Sequence, residues 1–444
     1  MSIIKTIEDV IDSPKNPNNF LNYLPRIESE FTTLRNLLEG NNPPFIYGVN
    51  SLVGHLDKQQ LTPAEINSFQ NELLENHAID LGFGYYNKWQ VQCIFYAKLK
   101  NITSGGTAIS PNLFNELVNI YTNDNYDLKI PIKSSYSCGD VIPAANFTRE
   151  LTQYFENNLT FVYKDVISLI NGNYISTGLS LSLLPRLLNV LDHLIENTIL
   201  IFEQFDIDYK ILEIDSEANP LLNDIYTTIK NNTTVKEMNS QPSVSLRSAL
   251  KNIDLLYNTI LDLNNVIVEL LRKPSDNPLI STDGDILSNS SFYSPHLALK
   301  LSAIIDSLLF NSWNIERRVH FILSGEIKGT TQNFSTSDNR LGLIQIPKMI
   351  TNMLQNIRLD FGTRPFNSGL ETSYGIEDSW TCAEKLVQQI IALCEQFDTM
   401  LKIEKLIINY PQNSNYQQFK NDLHKTSIPT KVKHTYEYKH VCDI

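Results

Sequence analysis

Apolar positions along the second half of the chain recur at helical spacing. Leu183, Leu187, Leu191, Leu194 and Thr198 fall at intervals of three and four residues. So do Ile253, Leu256, Ile260, Leu263 and Val266, before Pro274 ends the run. Such stripes turn one helix face toward a core. Residues 296–324, 345–359 and 379–408 repeat the pattern and predict three more long helices. The first half is more broken. It predicts helices over 63–77 (Pro63 in the first position), 87–100, 111–121 and 143–155, with Ser104-Gly105-Gly106 and Gly48 marking loops. Strand signals are few: 128–132 and short pieces near Tyr174 and Leu212. Several long helices with little strand alternation predict a mainly α fold. Its expected parts are an N-terminal lobe with active-site loops (1–177), a central bundle of long helices (178–409) and a polar C-terminal extension (410–444).

The chain has 444 residues, 42% hydrophobic and 19% charged, which is a globular composition. Its formal net charge of −13 argues against nucleic acid or an anionic membrane as partner, since both need a basic surface. The greasiest stretch, 179–205, is interrupted by Arg186, Asp192, His193 and Glu196, so no membrane span is expected. Cys93, Cys138, Cys382, Cys394 and Cys442 are scattered and odd in number, without a CxxC. That disfavours disulfides and zinc and suits a reducing cytoplasm. Cys93, Cys382 and Cys394 fall on apolar helical patterns, as core residues do. His424, His434 and His440 lie in the tail without metal-ligand spacing, and no metal site is expected. No phosphate-binding glycine loop, HExxH or GxSxG occurs.

One stretch breaks the helical texture: Lys133-Ser134-Ser135-Tyr136-Ser137-Cys138-Gly139-Asp140. Small residues allow a tight turn, and the cysteine within it is either buried filler or a reactive thiol.

Further motifs give that stretch a setting. Tyr47-Gly48-Val49-Asn50, the Asn76-His77 pair, the segment from Lys98 to Pro111 with Asn101 and Gly105, and Lys164-Asp165 through Ser176-Thr177 come in this order. Gln241 to Arg247, Ser275-Asp276-Asn277-Pro278-Leu279, Glu316-Arg317-Arg318 and Thr372 through Asp378 follow. In this order and register the chain resembles the histidine/phenylalanine ammonia-lyase family, the aromatic amino-acid lyases and aminomutases, over about 45–408. The resemblance implies the ammonia-lyase fold and a homotetramer, with Tyr47 of one subunit reaching the Cys138 loop of another. It also implies a methylidene-imidazolone electrophile built from Ser137, Cys138 and Gly139, where the family has Ala-Ser-Gly; here Cys138 would leave as hydrogen sulfide. Tyr47 would be a catalytic base if its pKa is depressed, and Asn171 would orient the electrophile or the amine. Arg247 would clamp a substrate carboxylate. Asn76, His77, Phe292 and Glu377 would line the substrate pocket, and His77 with Glu377 implies a polar, histidine-like amino acid.

Other readings stand beside these. His77 caps or packs its helix, and Glu377 sits at a solvated helix start. Tyr136, Val244, Ile376 and the 287–292 segment depart from the family pattern, and bulk at Tyr136 threatens the tight turn. The expected activity is therefore that of an ammonia-lyase or aminomutase. The rivals are a homologue that keeps Cys138 as a nucleophile for acyl transfer or condensation, and a non-catalytic homologue that binds a ligand.

Overall fold

The computed structural model describes residues 2–156, 159–234, 241–364, 371–413 and 415–426, and helices carry nearly all its regular structure. The longest are Tyr174–Phe205, Ala249–Leu270, Pro295–Ile322 and Ala383–Asn413. With Ile346–Phe361 they coincide with the predicted apolar stripes. The predicted strands are absent from the described residues. Tyr174 opens a helix, Leu212 ends the 3₁₀ turn Tyr209–Leu212, and the 128–132 stretch contributes one bridge, Tyr85 with Pro131. Leu279–Ile280 and Ile286–Leu287 form a two-residue antiparallel pair.

Two start signals were displaced. The helix predicted from Pro63 begins at Ile66, because Glu65 accepts both the Thr62 N–H (2.8 Å) and the Thr62 hydroxyl (2.6 Å) and holds a turn there. The helix predicted from Pro143 begins at Val141. Pro143 sits within its first turn, where no backbone donor is needed. Cys382 precedes its helix in a left-handed conformation (φ 53°) and is not on the apolar stripe.

Two compact units divide the chain: residues 1–183, 263–301 and 365–387, and residues 184–262, 302–364 and 388–444. They follow packing and not chain order, so each of the four longest helices contributes residues to both.

In the first unit, Phe95 packs edge-on against Tyr121 (5.1 Å between centroids) and Phe147 (5.2 Å) in a buried aromatic cluster. Gly178 permits close approach of two helices, since a Cβ there would lie 2.5 Å from the Ile94 Cα. Helices Ile66–His77, Val141–Leu151 and Asp165–Ile170 pack on one another and carry the site.

In the second unit, Arg318 and Glu404 form a buried two-pronged ion pair (2.8 and 2.7 Å), and Asn197 also donates to Glu404 (2.9 Å). The arginine of Glu316-Arg317-Arg318 thus has a structural partner. Helix Tyr416–Thr426 follows, and its Phe419 is buried edge-on against Tyr410. Residues 427–444, with His434, His440 and Cys442, lie outside the described residues. No described helix is long and apolar enough to cross a membrane. Cys93, Cys138, Cys382 and Cys394 are free thiols.

Candidate active site

The small-residue stretch folds into a tight left-handed turn. Ser137 (φ 64°), Gly139 (φ 73°) and Asp140 (φ 49°) all have positive φ. Side chains disfavour that region, so the turn persists only because its surroundings determine it. Two buried carboxylates do so. Glu384 accepts the N–H groups of Lys133 (2.5 Å) and Ser135 (2.6 Å) and the Tyr86 hydroxyl. Asp140 accepts from the Ser135 hydroxyl (2.7 Å) and from the Ser176 N–H (2.9 Å) and hydroxyl (2.6 Å). Burial raises both pKa values against the pull of these donors. The Ser137 hydroxyl accepts the Glu384 N–H (3.1 Å), and the Thr381 hydroxyl reaches the Ser137 carbonyl (3.4 Å). Tyr136 does not fill the turn. Its ring packs on Trp380 (5.3 Å), and its hydroxyl donates to Glu377.

Tyr47 approaches from a second loop. Asn50 accepts the Ile46 N–H and donates to the Pro44 carbonyl, both at 2.8 Å. Gln70, buried on Ile66–His77, donates to the Gly48 carbonyl (3.4 Å) and accepts the Val166 N–H (3.1 Å). It therefore ties the Tyr47 loop to the helix that ends at Asn171. The Tyr47 hydroxyl accepts the Gly54 N–H at 2.8 Å. Burial, followed by Glu377 among the nearby charges, raises its pKa. That is opposite to the depression expected for a resting base.

Asn171 donates to the Asn277 carbonyl (3.3 Å), and its Oδ1 would lie 3.3 Å from a Cβ placed on Gly139. Beneath it, the buried Lys164–Asp276 ion pair (2.5 Å) anchors the residue next to Asn277.

Two cavities meet at Cys138. One, of about 400 Å³, is lined by Tyr47, His77, Tyr136, Cys138, Asn171 and Glu377 among others. The other, of about 760 Å³, shares Tyr47, Cys138, Asn171 and Glu377 and adds Phe292, Asp57 and Asp378. No lysine or arginine is among the described residues lining either. The Cys138 thiol is half-buried, and burial first, then Glu377, Asp140 and Asp378, push its pKa up to about 12. Nucleophilic thiolates form in electropositive surroundings, and this setting has the opposite sign.

Tyr47, Ser137, Cys138, Gly139, Asn171, His77, Phe292 and Glu377 all belong to the first unit. Tyr47 and Cys138 share cavities within one chain, so no second subunit is needed to join them. Asn76 is exposed and does not line either cavity. His77 bonds the Leu73 carbonyl of its own helix (2.7 Å) and also lines the smaller cavity. Glu377 lies in a loop and not at a helix start, accepting Thr372 (2.6 Å) and Tyr136. Arg247 belongs to the second unit, in the short helix Val244–Arg247, and its buried Nε has no partner among the described residues. The sequence gives Gln70, Glu384 and Asp57 no place at the site, and Asp378, the last residue of the Thr372–Asp378 motif, no role in it. A lone glutamate or aspartate such as Glu384 or Asp57 carries no motif, and only the fold brings it here.

A helical scaffold that clamps a Ser-Cys-Gly turn beside a tyrosine, an asparagine and an acidic pocket defines a lyase-type architecture. Residues 4–410 match the aromatic amino acid lyase family, and the chain belongs to it. Among relatives, a probable histidine ammonia-lyase of Thermoplasma volcanium is 21% identical over 391 residues, covering 82% of this chain and 79% of its own. A histidine ammonia-lyase of Legionella pneumophila is 22% identical over 321 residues, covering 64% and 62%. The fold is shared with the phenylalanine aminomutase of Pantoea agglomerans (TM-score 0.79, 17% identity, 99% and 96% of the two chains). It is shared also with the ergothionase of Treponema denticola (TM-score 0.82, 15% identity, 95% and 91%).

Proposed function

We propose that the protein is an ammonia-lyase or aminomutase acting on an amino acid with a polar, histidine-like side chain. The observation that carries this reading is the single cavity that gathers Tyr47, His77, Cys138, Asn171 and Glu377. The turn fits the family's methylidene-imidazolone. Its backbone is already tightly folded, its flanks are clamped, Tyr136 is turned aside, and a hydroxyl addresses the Ser137 carbonyl. When formed, that group supplies the electrophile that the amino acid's amine requires.

The chain's own residues do the rest. Glu377, with Asp57 and Asp378, favours a donor-bearing or cationic side chain, because a carboxylate in a partly dry cavity attracts one strongly. Tyr47 Oη exchanges a proton with the substrate; it rests as the phenol and must be deprotonated to act as a base. Asn171 orients the amine or the turn. Arg247 lines neither cavity and its Nε has no partner among the described residues, so as the clamp for a substrate carboxylate it would serve a site completed by another subunit of the proposed homotetramer. A homotetramer and a cytoplasmic location belong to the same proposal, and light scattering after size exclusion tests the first.

The decisive test pairs two measurements. Incubation with L-histidine should release ammonia and produce an absorbing unsaturated acid or a β-amino acid. The intact mass should be lower than the encoded mass by one water and one hydrogen sulfide. No ammonia or rearranged product from any polar amino acid, together with an unshifted mass, sinks the proposal. The family's histidine ammonia-lyases support the histidine-like choice by their names.

A further inference from the structure

We infer that Tyr136 sets the specificity of the site, as a plug at its side-chain end that limits the substrate to a compact side chain with one donor. The inference rests on the proposed lyase or aminomutase reading and names its substrate class more narrowly. Tyr136 lines the smaller cavity together with His77, Glu377 and Cys138. Its position is held from three directions. Its carbonyl accepts the Cys382 N–H at 2.9 Å, its ring packs edge-on against Trp380 at 5.3 Å, and its hydroxyl lies 2.9 Å from the Thr372 hydroxyl while donating to Glu377. A side chain held this way is part of the wall and does not swing aside at small cost.

The hydrogen bonds also settle what Glu377 can offer. Tyr136 and Thr372 both donate to Oε2 of Glu377. No donor to Oε1 is found among the described residues. An ionised carboxylate offers two lone pairs on each oxygen; Oε2 takes both wall donors, and Oε1 is left for a ligand. Oε1 is then placed to take the N–H of an imidazole. A fork-shaped guanidinium loses its two-oxygen grip, because Oε2 already takes the Tyr136 and Thr372 hydroxyls. A phenyl or indole would meet the Tyr136 ring where it needs space and would press an apolar edge onto Glu377 and His77. Neither the helical pattern nor the family register points to this role, because Tyr136 stands where the resemblance places a small residue.

The test compares full-length wild type with Tyr136→Ala and Tyr136→Phe, using L-histidine, L-arginine and L-phenylalanine as probes. Ammonia release or rearranged product gives kcat/KM where there is turnover, and calorimetry gives affinity. Wild type should prefer L-histidine. Tyr136→Ala should shift the histidine-to-phenylalanine ratio of kcat/KM toward phenylalanine by about tenfold or more, the range that a change in pocket volume commands. Tyr136→Phe keeps the ring and should keep the exclusion of L-phenylalanine. Tyr136→Leu replaces the alanine variant if that one fails to melt cooperatively. A wild type that acts on L-histidine with a ratio unchanged in Tyr136→Ala overturns the plug and leaves the lyase reading intact. A wild type and variants that neither bind nor convert any of the three overturn both.

Discussion

Replacing Glu384 is expected to dismantle the site from behind. Glu384 is fully buried, and its carboxylate receives two loop N–H groups, at 2.5 and 2.6 Å, and the Tyr86 hydroxyl. Its own N–H supports the Ser137 hydroxyl at 3.1 Å. Glu384→Ala leaves two amides and a phenol without their acceptor. Each buried unsatisfied donor costs about 1–3 kcal/mol, and relaxation of the loop toward solvent recovers part of it. The expected loss is roughly 3–6 kcal/mol, a large part of the ~5–15 kcal/mol that holds a typical protein folded. Glu384→Gln keeps one carbonyl oxygen but turns its amide NH₂ toward a donor, so about half that loss is expected. Denaturant unfolding measures the first effect. Intact mass measures the second, because a loop no longer clamped should cease to lose water and hydrogen sulfide. An alanine variant destabilised by less than about 1 kcal/mol that also retained the full mass loss would refute the view that Glu384 holds the turn.

Three further outcomes are expected. Asp165 is buried and its pKa is raised to about 6 by burial, although Ser110 and Val162 donate to it. A carboxyl held protonated in the folded state stabilises below its unfolded pKa, and that contribution is lost as pH rises through about 6. The stability of wild type relative to Asp165→Asn should therefore fall by roughly 2 kcal/mol between pH 4 and 7 in denaturant titrations. Gly178→Ala places a methyl group 2.5 Å from the Ile94 Cα and should destabilise by about 1–3 kcal/mol or prevent folding, read by thermal melting. Because Tyr47 rests as a phenol, kcat/KM should climb with pH through the alkaline range, and Tyr47→Phe should lose both the activity and the slope.

The long helices were legible because burial of one face writes itself into the sequence every three or four residues. Leu183, Leu187, Leu191 and Leu194 are all essentially inaccessible. What failed was local. Tyr174 and Leu212 sit among β-tolerant neighbours, but each is buried in helical context, where tertiary packing overrides a weak propensity. Cys382 is buried as a core position but lies off the stripe, which begins one residue later, after the left-handed kink that lets its N–H reach the Tyr136 carbonyl. The apolar period says where a helix face points but not where a loop captures the first turn.

The site was legible in a different way, through the order of its motifs, and that order did not carry its electrostatics. Tyr47, Cys138, Asn171 and Glu377 were found by register. The groups that decide how they behave come from elsewhere: Gln70 joins the Tyr47 loop to the helix before Asn171, Glu384 clamps the turn, and Asp378 acts on the thiol. Each makes its contact across a long span of chain, so no window of sequence holds both partners. The same separation explains Tyr136. In sequence it is a bulky neighbour of a turn that needs small residues. In space, Trp380, Thr372 and Glu377, all more than two hundred residues away, draw the ring out of the turn and into the substrate cavity. A residue that threatens the electrophile when read along the chain becomes, once its partners are placed, a wall of the pocket that the electrophile faces.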